Sequence, residues 1–319
     1  MSQPLDRAFA LEAVRVTEAA ARAAAVQIGR GDEHAADQAA VEAMRAAFNQ
    51  LPISGTVVIG EGERDEAPML YIGEKVGAGG LDVDIALDPL EGTTLVAKAL
   101  PNALAVMAMA EPGTLLNAPD TYMDKIAIGG GYPDGTIDLD ADPQENVLSL
   151  ARAKGVKPGE ITACILDRPR HSDLIEKVRA GGAAVRLISD GDVAGIIATT
   201  DPATGIDIYL GRGGAPEGVL AAAALRCTGG QMQTRLVFMK EDERARAAQL
   251  GINDFHRKYS LTDLASGDVV FAATGVTDGA MLRGVRRERD HMWTESIVMR
   301  AETGTVRWIR ARHRIKHGR

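Results

Sequence analysis

Cysteine is almost missing from this chain. Only Cys164 and Cys227 occur among 319 residues, so a disulfide framework is excluded, and no Cys or His stands at zinc-ligand spacing. Cys164 falls in a strand-like run and Cys227 in a helix-like run, which reads as two buried thiols. Long apolar runs are missing too. The best candidate, "ALAVMAMA" (Ala103 to Ala110), is strand length, against roughly 18 residues for a membrane span. Asp6 and Glu12 interrupt the N-terminal region where a secretory leader would need an apolar stretch. Positive charge is not in excess. The formal net charge is −8, which gives no overall electrostatic footprint for nucleic acid. No internal repeat and no low-complexity linker is visible. The expectation is a cytoplasmic protein with no membrane and no nucleic-acid partner.

What is present is ordinary globular composition, 45% hydrophobic and 25% charged, in a chain long enough for two domains. Leu5 to Ile28 and a segment through Val41, Met44 and Phe48 read as helices. "TVVIG" (56–60), "VDIAL" (83–87), "ALAVMAMA", "KIAIG" and "GTIDL" (135–139) read as strands. From Ile161 the texture becomes strand–helix alternation: "ITACIL", a helix over 172–180, "AVRLIS", "DGDVAGIIA", "IDIYLG", then the helix "APEGVLAAAALRCTGG". The fold class expected is α/β, a layered α+β sandwich of alternating αβαβα layers. A soft boundary near Pro158 and Gly159 divides the chain into two expected domains, 1–158 and 159–319.

The chemistry concentrates in "DPLEGTT", where the strand "VDIAL" runs into Asp88, Glu91 and Thr93. Pro89 biases Asp88 to extended backbone. Gly92 permits a tight turn, and Thr93 and Thr94 sit where helix N–H groups suit an anion. Glu61 and Glu63 follow another strand, Asp37 lies near a helix start, and Glu217 lies in the first turn of a helix after "RGGAP". Asp37 and Glu217 each read equally well as helix caps. Two carboxylates at ~5 Å with an effective dielectric of ~20 repel by about 3 kcal/mol. Such a cluster takes up protons or cations, and all-oxygen donors select Mg²⁺ or Mn²⁺. "DRPRH" offers Arg168, Arg170 and His171 to a second anion. "DGD" (Asp190 to Asp192) also follows a strand and offers hydrogen-bond acceptors, with helix capping an equal reading of Asp190.

"DPLEGTT" resembles the signature of the metal-dependent, lithium-sensitive sugar and inositol phosphatases. "GRGDEHAADQAAVEAMR", "GTVVIGEGERDEAPMLYIGEKVG", "NAPDTYMDKIAIG", "DRPRHSDLI", "ISDGDVA" and "GRGGAPEGVLAAAALRC" narrow the resemblance to the class II, glycerol-regulon-type bacterial fructose-1,6-bisphosphatases. The cyanobacterial fructose/sedoheptulose bisphosphatases share that pattern. The resemblance covers about Arg15 to Thr305. It implies hydrolysis of the 1-phosphate of fructose 1,6-bisphosphate, as in gluconeogenesis, with sedoheptulose 1,7-bisphosphate as a further substrate. It also implies two or more divalent ions and a homodimer or homotetramer. By the same resemblance, Asp37, Glu61, Asp88, Glu91 and Glu217 hold metal, and Glu61, Asp88 and Thr93 are catalytic, with Thr93 orienting water. Glu91, Gly92, Thr93, Tyr122, Arg168, Pro169, Arg170, Asp190, Gly191, Asp192 and Gly214 contact substrate. Position 168 is Arg where relatives often carry Lys. The alternative is another phosphatase of the superfamily, acting on an inositol phosphate or a nucleotide bisphosphate. The basic segments "LRGVRRERDHMWTESIVMR" and "VRWIRARHRIKHGR" read as a solvated face or frayed tail. His313 and His317 have helical spacing but no third ligand, so no metal is assigned to them.

Overall fold

The computed structural model describes Leu5, residues 7–62 and residues 69–315. Glu63 and His317 lie outside the described residues. In chain order the first elements are α1 (Phe9–Ala24), α2 (Glu33–Phe48), β1 (Ile53–Ile59), β2 (Lys75–Val76), β3 (Leu81–Glu91), α3 (Thr93–Ala97) and β4 (Leu104–Ala110). Next come β5 (Tyr122–Ile128), α4 (Pro143–Lys154), β6 (Thr162–Leu166), α5 (Ser172–Ala180), β7 (Ala184–Ile188), α6 (Asp192–Ile197), β8 (Ile208–Gly214), α7 (Ala215–Thr228), β9 (Gln231–Val237), α8 (Glu241–Gln249), β10 (Tyr259–Ser260) and α9 (Leu261–Leu264). The chain closes with β11 (Val269–Gly275), β12 (Arg286–Glu288), β13 (His291–Arg300) and β14 (Thr305–Arg314). The content is mixed α+β, as expected. Among the described residues no helix is long and apolar enough to cross a membrane.

The chain forms two compact units. One runs up to Leu115 and resumes at Gly267, and the other is the continuous segment Leu116–Ser266. Pro158 and Gly159, where a boundary was expected, lie inside the second unit between α4 and β6. The change of texture there marks the start of its parallel strands, not a change of unit. The first unit's two pieces meet where β4 pairs with β11, Ala110 opposite Val269. That pairing is non-local and leaves no trace in any local pattern.

The first unit holds a mixed sheet in the order β12-β13-β11-β4-β3-β1-β2, with β14 added on β13. β1 and β3 are parallel, and the other pairs are antiparallel. α1 packs on β11, β13 and β4, and α2 on α1, β3 and α3. Phe9, Ala13, Val16, Ala20 and Ala24 recur at three- and four-residue spacing and are all buried, so the helix period aims one stripe at the core. A buried hydroxyl relay runs from Thr17 through Thr274 to Ser296, with oxygen separations of 2.7 and 2.8 Å. Of the basic C-terminal stretch, residues 305–314 form the solvated face expected, and residues 316–319 lie outside the described residues. That face is a ten-residue edge strand, β14, with Arg310 and Arg312 stacked over Trp293 of β13. His313 is on this strand, not a helix, and its Nε2 pairs with Thr294 Oγ1 at 2.8 Å.

The second unit has a sheet in the order β10-β9-β5-β8-β6-β7. β6, β7 and β8 run parallel, and β8, β5, β9 and β10 antiparallel. Ile126, Ile128, Ile165, Ile208 and Leu210 from the strands pack with Val147, Leu150 and Val178 of α4 and α5. α7, almost entirely buried, packs on β5, β8 and β9. "GTIDL" is not a strand; it lies in turns before α4, where Asn146 takes up the Asp138 N–H and carbonyl. The unit's two ends are tied together: the Leu116 N–H donates to the Leu264 carbonyl at 2.9 Å. Cys164 and Cys227 are separate buried thiols.

Candidate active site

In the first unit the acidic turn is built on a β-bulge. Asp88 lies opposite Val106 of β4, and Glu91 lies opposite Leu104. Three steps along β3 are therefore matched by two along β4. In a regular strand, residues three apart point to opposite faces. The extra residue cancels that alternation and puts Asp88 and Glu91 on one face. Pro89 sits in the bulge, where its missing N–H costs no ladder bond. Asp88 Oδ1 accepts from the Leu90 N–H at 3.0 Å, which closes the local turn. Gly92 then adopts φ 90°, and Thr93 opens α3. A Cβ at position 92 would meet Leu95 Cδ1 at 2.7 Å, but it is the left-handed backbone that calls for glycine there.

Asp37 does not cap α2. Asp32 does, with Oδ1 accepting from the Ala35 N–H at 2.9 Å. Asp37 lies one turn further in, and burial holds its carboxyl above the ordinary range, partly offset by His34. Glu61 follows β1, with its N–H donating to the Leu70 carbonyl at 3.1 Å. Among the described residues, no three His, Cys, Asp or Glu side chains gather closely enough to hold a metal by themselves.

The second unit carries the remaining candidates. Tyr122 and Gly214 are register partners at the ends of β5 and β8. Tyr122 is exposed, and the Arg170 guanidinium lies 5.1 Å from its ring centroid. Arg170 Nη2 donates to the Arg212 carbonyl at 2.8 Å, and Arg212 is itself gripped by both oxygens of Asp124 at 2.7 and 3.0 Å. Arg168 donates from Nη1 to the Ser189 carbonyl at 2.5 Å, and its Nη2 stands 3.9 Å from Asp190 Oδ1. Pro169 starts the short turn that carries Arg170. Asp190 is not the α6 cap. Gly191, in the left-handed region, holds that place.

His171 faces inward and engages both ring nitrogens within the protein. It is buried, its Nδ1 meets the Leu166 carbonyl at 2.8 Å, and its Nε2 accepts from the Arg212 N–H at 2.9 Å. Burial, then Arg170 and Arg212, push its pKa down. His171 is thus a neutral latch that fixes the loop bearing Arg168 and Arg170.

Asp192 and Glu217 meet a group that sequence reading missed. Lys125 is wholly buried in β5, and its Nζ donates to Asp192 Oδ2 at 2.6 Å. The Tyr209 hydroxyl donates to the same oxygen at 3.4 Å. Glu217 keeps some exposure as a residue, but its Oε2 is sealed from solvent and has no hydrogen-bond partner. Burial, together with Asp192 and Asp120, raises its pKa, and Lys125 acts the other way. Within "KIAIG" nothing marks Lys125 out. A lysine on a strand reads as a solvent-facing position.

The donor chemistry fits a hard divalent cation. All five proposed ligands are carboxylates, Glu217 leaves a sealed oxygen unanswered, and the fold holds Asp37 where its charge is unfavourable. Mg²⁺ is commonly held by one or two carboxylates plus waters and substrate phosphate, so a complete protein cage is not required.

The model of the family described as "Bacterial fructose-1,6-bisphosphatase, glpX-encoded" matches residues 7–313. A protein from Synechococcus sp. (strain JA-3-3Ab), named D-fructose 1,6-bisphosphatase class 2/sedoheptulose 1,7-bisphosphatase, is 42% identical over 97% of this chain and 96% of its own length. The protein from Escherichia coli (strain K12) named Fructose-1,6-bisphosphatase 1 class 2 is 45% identical over the same shares of the two chains.

Proposed function

The chain belongs to the glpX-encoded bacterial fructose-1,6-bisphosphatase family, and from that premise we propose that it hydrolyses the 1-phosphate of fructose 1,6-bisphosphate, giving fructose 6-phosphate and phosphate. The name of the cyanobacterial relative supports sedoheptulose 1,7-bisphosphate as a second substrate. The reading carries with it a cytoplasmic location and a homodimer or homotetramer. The observation that carries it furthest in the structure is the bulge that turns Asp88 and Glu91 to one face beside the start of α3.

Phosphate-monoester hydrolysis is among the slowest uncatalysed reactions, and enzymes speed it by up to ~10²¹. A general base supplies only about 10²–10⁴ of that. Asp37, Glu61, Asp88, Glu91 and Glu217 would hold Mg²⁺ or Mn²⁺, which stabilises phosphoryl charge and generates hydroxide near neutral pH. The chain's own groups then position the reactants. The Thr93 hydroxyl orients the attacking water. It is no covalent nucleophile, because the motif holds no Lys or His to activate it. The first N–H groups of α3 face the phosphoryl oxygens; at five residues the helix contributes donors rather than a long dipole.

Arg168 and Arg170 bind the phosphate that stays on the sugar. Arg168 spends Nη1 on the Asp167 and Ser189 carbonyls and Arg170 spends Nη2 on the Arg212 carbonyl, which aims each guanidinium and leaves further N–H groups for an anion. Tyr122, Gly214 and the Asp190–Asp192 turn line the sugar.

The test is phosphate release from fructose 1,6-bisphosphate, sedoheptulose 1,7-bisphosphate and inositol 1-phosphate, with Mn²⁺, Mg²⁺ or EDTA, for wild type and Asp88→Ala. Turnover of the two sugar bisphosphates that disappears with EDTA and with Asp88→Ala is expected. Turnover of inositol 1-phosphate alone, or none by folded protein, would reject the reading.

A further inference from the structure

Lys125, Asp192 and Glu217 form a compartment of charge inside the second unit, and three glycines make room for it. A Cβ on Gly213 would overlap Asp192 Oδ2 and lie 3.2 Å from Lys125 Nζ. A Cβ on Gly218 would lie 2.5 Å from Met123 Sδ and 3.2 Å from Lys125 Cε. A Cβ on Gly214 would overlap Glu217 Oε2. Gly214 and Gly218 carry ordinary negative φ, so space and not backbone strain calls for glycine there. The compartment brings one ammonium to two carboxylates. The ammonium is committed to Asp192 by a 2.6 Å contact with both side chains buried, and Glu217 Oε2 is left without a donor.

Buried charges need partners. One ammonium satisfies one carboxylate, so the other must draw its positive charge from outside the chain. We propose that Lys125 is a positioning residue that allots charge in this compartment: by engaging Asp192 it reserves Glu217 for a divalent cation. The proposal rests on the reading of Glu217 as a metal ligand. It adds that the Lys125–Asp192 pair, which touches no metal, sets how strongly the ion is held.

The charge count fixes the sign of each perturbation. Asp192→Asn frees the ammonium to pair with Glu217, so the cation must displace it and affinity falls. Lys125→Met leaves two carboxylates uncompensated, so affinity rises. The double variant Lys125→Met/Asp192→Asn removes one charge of each sign and leaves Glu217 as it was. A strut that only held the fold together would weaken binding in all three.

The experiment titrates metal-free protein with Mn²⁺ alone, no substrate present, and reads free Mn²⁺ by electron paramagnetic resonance. Asp192→Asn is expected to weaken Mn²⁺ binding by about tenfold or more, the scale of one unit charge brought to ~8 Å at an effective dielectric of ~20. Lys125→Met should tighten it, and the double variant should return to within about threefold of wild type. The two single variants have opposite signs, so either one that folds by circular dichroism decides the matter. If neither folds, the double carries the test, and a tenfold loss there overturns the proposal. Glu217→Gln separates the two layers. If it leaves Mn²⁺ binding unchanged, the metal reading of Glu217 fails. If it weakens binding while Asp192→Asn does not, that reading stands and the role given to Lys125 is refuted.

Discussion

Replacing Gly214 by alanine separates activity from stability. Gly214 has φ −69° and ψ 146°, a conformation any residue adopts, so the backbone itself opposes nothing. As the N-cap of α7 it offers no side-chain bond, and exchange of Gly for Ala at a cap costs up to about 1 kcal/mol. Reduced freedom of the unfolded chain returns about 0.4–1 kcal/mol. Those two effects nearly cancel. The added Cβ overlaps Glu217 Oε2, the far end of a flexible side chain, which must retreat by about 1 Å at an off-rotamer cost of about 0.5–1.5 kcal/mol. Net loss of stability should therefore stay below about 2 kcal/mol. With Glu217 in its proposed role as a metal ligand, the same shift should be severe for catalysis, because a 1 Å misplacement at a reacting centre costs about 10²-fold, near 2.7 kcal/mol of barrier. Urea unfolding and steady-state hydrolysis of fructose 1,6-bisphosphate at saturating Mn²⁺ measure the two. Gly213→Ala is the contrast, since its Cβ strikes the buried Asp192–Lys125 pair and should lower stability first. Gly214→Ala with wild-type kcat and wild-type Mn²⁺ dependence would refute the placement of Glu217 at the reacting centre.

Other outcomes follow from features away from that centre. Arg300→Met in the first unit removes a buried partner of Asp268, at 2.8 Å, and a donor to the Leu5 carbonyl. It should cost about 3–5 kcal/mol in urea unfolding, and a loss below 1 kcal/mol would show the pair to be solvated. Burial raises the pKa of Asp84, with the Gly113 N–H and Lys75 acting against it. The folded state then binds the proton more tightly than the unfolded one. This stability is complete below the ordinary value of 3.8 and is lost as pH rises through the folded pKa. Asp84→Asn should flatten that slope in unfolding curves, and an unchanged slope would contradict it. Burial pushes the Cys164 thiol up to about 12, so at pH 8 iodoacetamide should leave Cys164 unlabelled in native protein and label it in urea, as read by mass spectrometry.

The elements legible in the sequence share a local cause. β3 and β4 are buried runs, α1 and α2 carry a clear helical stripe, and the alternation from β6 to α7 repeats strand, turn and helix. What escaped was set by distant partners. β11 is a short apolar run whose role appears only when Val269 meets Ala110, and β14 is a basic strand that looks like tail until it pairs with β13. The division into units failed to show for the same reason. In the candidate site, the turn that carries Asp88 and Glu91 was readable because Pro89 and Gly92 announce a broken strand. Lys125 was not, because burying a lysine depends on Asp192, 67 positions away.

The first unit is assembled from two stretches of chain separated by the whole of the second. Pairing β4 with β11 across some 150 disordered residues would cost about 4 kcal/mol in closure entropy. The second unit removes most of that cost if it forms first. Its own Leu116–Leu264 hydrogen bond brings the two ends of the insertion together and delivers Gly267 close to Leu115. During synthesis the order is natural, because every residue of the second unit leaves the ribosome before β11 does. A lesion that slows folding between Leu116 and Ser266 should therefore delay the other unit's sheet, although it touches none of that sheet's residues.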